Sequence, residues 1–366
     1  MKILKNITVF TLVMLLSVST VLEARDKNVS NFSSSTSNYV DSVGTFDGNK
    51  IYADVANNGL FLDYHVSGDS ALEWPKGTGV HSIFQSALWM GATVNGSIRT
   101  IVGDYTQDMG PGPWGGDPLA AVHRIYKVEK SMLASPLDFA DFQEWPVDFG
   151  APWVDVDGDG VYSPLPGGPD HPEFLGDQVL WFVSNDGDPA YKLNFGTSPL
   201  NVEIQTTMFG FDRPDVFGDM VFLKQLVINY GSDDLVDTYM GLWSDPDLGY
   251  AGDDFVGCDV DLGMGYVWND GVDSQYGTLD IGTPAAGYDF FQGPMVPCED
   301  GDSEAVCPAE GAKMFGTRHP GMKNLKMSSF AFYINGDATY TDPSDETEGY
   351  FYLQGLRKDG SAYPAE

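Results

Sequence analysis

The sequence predicts an all-β protein, a β-sandwich of the jelly-roll or immunoglobulin-like (Ig-like) kind with long acidic loops rich in glycine and proline. Three observations support this prediction. The apolar runs are short, turn residues separate them, and long helical periodicity is nearly absent. With 43 glycines and 22 prolines in 366 residues, the chain also has enough turn formers to connect many strands.

The strands are predicted from apolar runs taken in chain order. These runs cover residues 51–55, 82–94, 178–183, 202–211, 219–230, 236–243, 330–334 and 350–353. The run 219–230 has apolar side chains on both faces, which predicts a central strand covered on both sides. Because Gly231 to Asp234 are turn residues, we expect this run and 236–243 to form a β-hairpin.

The N-terminal segment has the order of an export signal. Lys2 and Lys5 precede an apolar run, and small residues follow as far as Ala24. We expect residues 1–24 to be a signal peptide, cleaved after Ser19 or after Ala24, and residues 25–43 to be a flexible leader rich in serine and asparagine. The apolar run is shorter than the roughly 20 residues of a membrane helix, so we expect no membrane span in the mature chain.

The rest of the chain divides into three parts by composition. We expect residues 44–295 to form the β-sandwich core, 296–310 to form an acidic loop, and 311–366 to add further strands. Cys298 and Cys307 bound the acidic loop, and in an oxidising compartment they would form a local disulfide. The alternative is a pair of free thiols. The sequence does not indicate a partner for Cys258.

The charge of the chain excludes two classes of partner. There are 53 acidic and 19 basic side chains, which give a formal net charge of −34. Nucleic acids and anionic membranes are bound through clustered lysine and arginine, so neither is expected here. Because 42% of the residues are hydrophobic, the chain is also too apolar for an acidic disordered protein.

The clearest chemical motif is the sequence D-x-D-x-D-G over residues 155–160. Alternate carboxylates converge on a hard cation in such a loop, and the following carbonyl can supply another oxygen. Pro166 stands where an EF-hand has glutamate, so the loop is instead similar to the helix-free calcium loops of secreted proteins such as thrombospondin-type repeats. We expect calcium at Asp155, Asp157, Asp159 and Val161, with Asp170, Glu173 or Asp177 completing the shell. The alternative is a solvated acidic turn.

A second acidic cluster lies between residues 245 and 261, a stretch without lysine or arginine. Carboxylates this close repel one another unless protons, water or a cation intervene. The cluster therefore predicts a second cation site. Its candidate ligands are Asp245, Asp247, Asp253, Asp254 and Asp259. The alternative is a solvated loop that carries charge for solubility.

Enzyme signatures are weak. The chain lacks the G-x-S-x-G elbow, the phosphate-binding loop and the H-E-x-x-H zinc motif, so no catalytic residue is assigned and a non-enzymatic role is favoured. Three tryptophans lie near glycine or proline and are candidates for stacking on sugars, namely Trp89, Trp114 and Trp145. The alternative for each is a place in the hydrophobic core.

Several segments resemble a group of uncharacterised, secreted, β-rich bacterial proteins that use type IX secretion. They are NNGLF at 57–61, EWPKG at 73–77, ALWMGA at 87–92, and the stretches 241–249, 253–259 and 284–288. The resemblance implies a bacterial protein exported to the medium or the cell surface, and a sorting domain at the C-terminus. No such domain is visible up to Glu366, so we expect either a fragment of a longer protein or a different route of export.

These observations favour a secreted or cell-surface protein, stabilised by calcium, with a structural, adhesive or ligand-binding role. A polysaccharide or a cell-surface protein is the expected kind of partner. The alternative is an exported carbohydrate-active protein, either a glycoside hydrolase or a sugar-binding module. The sequence predicts no particular oligomeric state.

Overall fold

The computed structural model describes residues 43–165, 169–314, 316–334, 337 and 339–364, together with the backbone of residues 8–13. The predicted signal peptide and leader lie outside these ranges, apart from residues 8–13 and Val43. The strands, numbered in chain order, are β1 (Thr8–Val13), β2 (Val43–Phe46), β3 (Tyr52–Ala56), β4 (Leu60–Leu62), β5 (Leu72–Glu73), β6 (His81–Ile83), β7 (Gln85–Val94), β8 (Ser97–Ile101), β9 (Gly110–Pro111), β10 (Tyr126–Glu129), β11 (Trp153–Val154), β12 (His171–Pro172), β13 (Gln178–Asn185), β14 (Val202–Gly210), β15 (Phe222–Asn229), β16 (Val236–Asp245), β17 (Asp254–Asp259), β18 (Met264–Asn269), β19 (Ala286–Gln292), β20 (Met295–Pro297), β21 (Ala312–Met314), β22 (Thr317–His319) and β23 (Met322–Asn324).

The described residues also form two α-helices, α1 (Ala140–Gln143) and α2 (Glu346–Leu353), and several short 3₁₀ turns. None of these helices has the length and apolar character that crossing a bilayer requires. The predominance of antiparallel strands confirms the all-β prediction.

The largest unit is a nine-stranded antiparallel sheet, here called the large sheet. Its strands run in the order β10-β13-β14-β15-β1-β19-β18-β17, and β9 pairs with β13 beside this path. The centre is built from long strands in regular register, with Thr206 of β14 facing both Phe182 of β13 and Gln225 of β15. The backbone of β1 lies between β15 and β19, although these residues belong to the predicted signal peptide, whose cleavage would remove this strand from the sheet.

Two smaller sheets cover one face of the large sheet. The second sheet has the order β16-β7-β4 with β8 beside β7, and the third has the order β2-β3-β5-β6. Phe46 and Ile83 of the third sheet pack with Leu180 and Leu223 of the large sheet. Residues of β7 and β8 pack in the same way on Val202, Ile204 and Val227. Because side chains alternate along a strand, every second residue of the large sheet faces these partners.

The opposite face of the large sheet is covered by loops and short helices. Val179 and Trp181 of β13 point to this side, where they pack with Phe142 of α1 and with Trp145. Phe222 of β15 packs in the same cluster, whereas Leu223 and Val227 pack on the opposite face, which confirms the prediction that β15 is central and covered on both sides. Trp153 and Tyr162, which flank the D-x-D-x-D-G motif of residues 155–160, pack against the same cluster.

The predicted hairpin of residues 219–243 is wrong. The two strands exist, but β15 pairs with β14 and β1, whereas β16 pairs with β7 in the second sheet. The turn at 231–234 carries the chain from one sheet to the sheet facing it, and the buried side chain of Leu235 joins the core between them. Both strands are apolar enough to be buried in a sheet. Their apolar character therefore does not indicate which strand each one pairs with.

Two predicted strands near the end of the chain are also wrong. Residues 330–334 have no regular secondary structure and belong to no sheet, and residues 350–353 lie in α2. The Asp345 side chain caps this helix by accepting hydrogen bonds from the N–H groups of Thr347 and Glu348. A short apolar run cannot distinguish a strand from a buried helical turn, which explains the error.

Candidate metal centre and interior cavity

The aspartate-rich loop is closed by a small ribbon. Trp153 and Val154 of β11 pair with His171 and Pro172 of β12, so the two ends of the intervening loop lie side by side. This pairing brings the buried Asp170 back to the start of the D-x-D-x-D-G motif. The loop is thus a long connection whose first and last carboxylates are positioned by the same pair of strands.

Within the loop, the aspartates turn the backbone around themselves. The N–H groups of Gly158 and Gly160 donate to the two carboxylate oxygens of Asp155, at 2.6 and 2.9 Å. Both glycines have positive φ, 78° and 77°, a backbone conformation that side chains disfavour. The N–H of Val161 donates to Asp159. The motif therefore folds into a tight turn with its carboxylates inward.

Four carboxylates converge in this loop. One oxygen from each of Asp155, Asp157, Asp159 and Asp170 lies within 4.8 Å of the oxygens from the other three. Calcium is bound by oxygens at roughly 2.4 Å, so two ligands on opposite sides of the ion are about 4.8 Å apart. A single calcium ion therefore fits the spacing of these oxygens. Among the described residues, no other group of three or more His, Cys, Asp or Glu meets this spacing.

Asp170 is the member of the group that the motif itself does not contain. Its burial acts to raise the pKa of its carboxyl, but the N–H groups of Val156 and Ser163 donate to it and hold the net pKa below the ordinary value. The carboxylate is thus ionised at neutral pH. Of the three alternatives that the sequence leaves open, Asp170 joins the group, whereas Glu173 lies 3.7 Å from Lys224 and Asp177 accepts from the N–H of Asp212.

The second acidic cluster is spread over several environments. The Asp245 carboxylate accepts a hydrogen bond from the Tyr105 hydroxyl at 2.8 Å, and Asp259 accepts from the N–H of Leu262 in the turn after β17. Asp247, Asp253 and Asp254 lie around the loop that joins β16 to β17. The cation site predicted for these five residues stays a prediction.

Two of the three cysteines form the disulfide that the sequence predicted, and the third is a free thiol. Cys298 and Cys307 form a disulfide with their Cα atoms 5.9 Å apart, which closes the acidic loop. Cys258 is a free thiol in β17, half-buried, and burial raises the pKa of this thiol.

A cavity of about 590 Å³ lies between the second sheet and β17, β18 and β19 of the large sheet. Residues 325–334 and α2 complete its wall. Much of the wall is apolar, and the apolar residues include Leu242, Val256, Val267, Phe290, Leu325 and Phe330. The charged residues of the wall are mostly acidic, namely Asp237, Asp245, Asp247, Asp254, Asp342 and Lys326. The sequence did not reveal this cavity, because its walls come from distant parts of the chain.

Aromatic side chains with polar tips form part of the cavity wall. Trp89 and Trp243 stack with their ring centroids 5.9 Å apart, and the Trp243 indole N–H donates to the Tyr333 hydroxyl at 2.5 Å. The hydroxyl of Tyr288 lies 2.5 Å from the Ser86 hydroxyl and 2.7 Å from that of Ser244. These bonds fix the rings, so this part of the wall is preformed.

The three tryptophans suggested for sugar stacking differ in their exposure to solvent. Trp89 and Trp145 are both 3% exposed and belong to the hydrophobic core, and Trp89 also lines the cavity. Trp114 is exposed and stacks in parallel on Tyr230 with a centroid distance of 5.4 Å. The backbone N–H of Trp114 donates to the carboxylate of the buried Glu203, which anchors this loop.

Comparison with protein-family models, with curated proteins and with solved structures found no match to this chain.

Proposed function

We propose that this chain is a calcium-stabilised β-sandwich protein that acts outside the cell in a structural, adhesive or ligand-binding role. The observation that carries the proposal is the convergence of four carboxylate oxygens within 4.8 Å in the loop 155–170. The sandwich assignment is supported by the two smaller sheets, which pack against one face of the large sheet.

Calcium is the cation that this donor set suits best. All four donors are carboxylate oxygens, which favours a hard cation over zinc or copper. They lie on a glycine-containing loop, which suits the irregular shell of six to eight oxygens that calcium accepts. Magnesium prefers a strict octahedron and keeps several waters, so it gains less from four converging carboxylates.

A place outside the cell is supported by two further features. The N-terminal sequence has the order of an export signal. The disulfide between Cys298 and Cys307 suits an oxidising compartment and would be reduced in most cytosols. Extracellular calcium modules bind weakly because calcium is abundant there. We infer a secreted or cell-surface location, with export by the type IX route as the more specific form of this proposal.

Calcium removal is the experiment that tests the stabilising role. We expect EDTA to lower the melting temperature of the chain by several degrees, because an ion present at about 100 times its dissociation constant stabilises the fold by roughly 2.7 kcal/mol. Asp157→Asn should abolish most of this difference, since it removes one carboxylate from the group. The exposed Asp270→Asn serves as the matched control and should behave as the wild type. An unchanged melting temperature with EDTA, together with no calcium binding by calorimetry, would contradict the proposal.

The cavity supports the ligand-binding form of the role. Five carboxylates and one amine lie among its lining residues, so an anionic ligand would be repelled. The aromatic and aliphatic wall suits an apolar body, and the fixed hydroxyls suit a few hydrogen bonds. We therefore propose a neutral or cationic ligand with an apolar body and one or two polar groups.

The neutral fluorophore N-phenyl-1-naphthylamine tests this site, with its anionic sulfonate analogue as a comparison. We expect the neutral dye to bind once per chain and the anionic dye to bind at least tenfold more weakly. Val256→Trp should remove binding by filling the cavity, whereas the 82% exposed Val260 offers the matched control Val260→Trp. Equal binding by the Val256→Trp variant would show that the dye lies elsewhere.

The second candidate is an exported carbohydrate-active protein, either a sugar-binding module or a glycoside hydrolase. It is favoured by the stacked pair of Trp114 and Tyr230, which are 42% and 47% exposed and are held on an anchored loop. Flat exposed rings are the surfaces on which sugar rings stack. A glycan array and a polysaccharide hydrolysis panel decide the matter, with Trp114→Ala expected to lose array binding. No binding on the array and no hydrolysis in the panel would contradict this second candidate function.

A further inference from the structure

The loop that joins β16 to β17 is folded around two buried carboxylates. The N–H of Leu248 donates to Asp254 at 2.7 Å, and the N–H of Tyr250 donates to Asp273 at 2.9 Å. Asp273 also accepts from the N–H groups of Gln275 and Tyr276, which are 2.8 and 2.7 Å away. Asp254 and Asp273 are 1% and 0% exposed, so water does not solvate them.

One oxygen of Asp254 has no donor. Its Oδ1 atom is inaccessible to solvent and accepts no hydrogen bond, and the same is true of Oδ1 of the neighbouring Asp253. Leaving a buried carboxylate oxygen without a partner costs several kcal/mol, so such an atom needs a proton or a cation.

The charges around Asp254 increase this cost. The carboxylates of Asp247, Asp253 and Asp273 lie near that of Asp254 and repel its charge. These neighbours all have the same sign as Asp254, and residues 245–261 contain no lysine or arginine. A basic partner from this stretch therefore cannot relieve the repulsion.

We propose that Asp247, Asp253 and Asp254 bind a second divalent cation of the calcium type at the wall of the cavity. Asp247 and Asp254 line the cavity, so the ion would lie at its edge. A cation there would satisfy the two orphan oxygens and neutralise the repulsion, with the charge of Asp273 nearby. The proposed ligand set is smaller than the five residues predicted from the sequence. It omits Asp245 and Asp259, because hydrogen bonds to Tyr105 and Leu262 hold their carboxylates.

The proposed site differs from the aspartate loop in how far it is formed in advance. The ligand oxygens around Asp254 do not meet the 4.8 Å spacing that the group at 155–170 meets, so the loop 247–253 must move inward as the ion binds. Because binding must break hydrogen bonds that already hold the loop, such as those to Asp254 and Asp273, we expect this site to be at least tenfold weaker than the other.

Calcium titration of four single variants tests the proposal in the full chain. We expect the wild type to bind two ions by calorimetry and by native mass spectrometry. Asp254→Asn should lose only the weaker ion, Asp157→Asn only the tighter one, and the exposed Asp270→Asn neither. Asp253→Asn provides a second variant that should also lose the weaker ion, in case Asp254→Asn does not fold.

The outcomes separate this proposal from the calcium role of the loop 155–170. A wild type that binds one ion, lost in Asp157→Asn alone, would overturn the second site and leave the first intact. In that case Asp254 holds a proton, and Asp254→Asn would leave calcium binding unchanged. One ion that is lost in Asp254→Asn but not in Asp157→Asn would support the second site and contradict the first.

Discussion

At the scale of single residues, one lysine holds together three segments of the core. Lys192 is 3% exposed, and its amine lies 3.0 Å from a carboxylate oxygen of Asp108 and 3.8 Å from one of Asp186. Asp186 accepts from the N–H groups of Leu200 and Val202, at the start of β14. The sequence could not reveal this group, because its members are distributed over more than 80 positions.

Lys192→Met should be strongly destabilising, because it leaves two buried carboxylates without their cation. Removing one partner from a buried ion pair costs about 3–5 kcal/mol. Urea unfolding at pH 7 measures this loss, and the exposed Lys130→Met is the matched control, with an expected change within about 0.5 kcal/mol. A loss below 1 kcal/mol for Lys192→Met would mean that the group is solvated or that the acids are protonated.

Asp104 predicts a pH dependence of stability. Burial, opposed by hydrogen bonds from the Asn194 side chain and the Tyr105 N–H, raises the pKa of Asp104 from 3.8 to about 6. Between these values the folded chain keeps a proton that the unfolded chain has released, so this contribution to stability falls as the pH rises from about 4 to about 6. The two pKa units correspond to about 3 kcal/mol.

Asp104→Asn removes the titrating group, so the stability of the variant relative to the wild type should rise by about 3 kcal/mol between pH 4 and pH 7. Urea titrations at half-unit intervals, in constant calcium, measure the difference. Asp69→Asn, on the surface, should show no such trend. A constant difference between wild type and Asp104→Asn across the window would show that the Asp104 carboxyl titrates normally.

At the scale of elements, α2 packs on the second sheet at a position where β7 has a glycine. Gly91 of β7 lies beneath the helix, where an added Cβ atom would come within 2.7 Å of the Tyr350 ring and 3.0 Å of Leu353. The Tyr350 hydroxyl donates to the carbonyl of Asp237 at 2.5 Å, so this ring is held at its far end as well. The glycine therefore sets how closely the helix approaches.

Gly91→Ala should loosen α2 without unfolding the large sheet. The ring cannot turn away freely, so overpacking should cost about 1–3 kcal/mol, and the helix should bear most of it. Hydrogen exchange of the amides in α2 should accelerate at least tenfold. Gly241→Ala is the comparison, because its Cβ would meet only Leu353, at 3.1 Å, and the effect should be smaller. Unchanged exchange in Gly91→Ala would show that the helix adjusts.

The strands were easier to predict from the sequence than their partners. The runs that became β7, β13, β14, β15 and β16 were identified because they are long and strongly apolar. The pairing of β16 with β7 was missed, since Trp243 and Ala87 are registered across a large separation in sequence. Register between distant strands depends on complementary packing, which a local pattern does not record.

The aspartate loop was predictable to the extent that its ligands are local. The order of Asp155, Asp157 and Asp159 indicated a cation loop, but selecting Asp170 from three alternatives required the pairing of β11 with β12. The cavity could not be predicted, because no single segment contributes enough of its wall. The same is true of the orphan oxygens at Asp253 and Asp254, which depend on tertiary burial.

At the scale of the whole molecule, the large sheet separates the two principal features. Tyr288 and Phe290, which line the cavity, face the smaller sheets on one side. Trp153 and Tyr162, which flank the D-x-D-x-D-G motif, pack on the other side. No shared side chain links the loop to the cavity among the residues that define them.

We therefore expect calcium at the loop 155–170 and dye in the cavity to act independently. Distant sites without common partners have additive free energies to within about 0.5 kcal/mol. Asp157→Asn should lower the melting temperature but leave the dissociation constant of N-phenyl-1-naphthylamine within about twofold of the wild type, measured at 25 °C where both chains are folded. A larger change would reveal coupling through the sheet.

One wall of the cavity is made late in translation. Residues 325–334 and α2 form this wall, and they follow every strand of the large sheet in the sequence. This part of the wall is thus completed last, by a segment that belongs to no sheet. Undocking of the segment would widen the cavity without breaking any strand pairing of the large sheet. The rate of ligand exchange would then depend on how often this segment undocks as well as on the contacts inside.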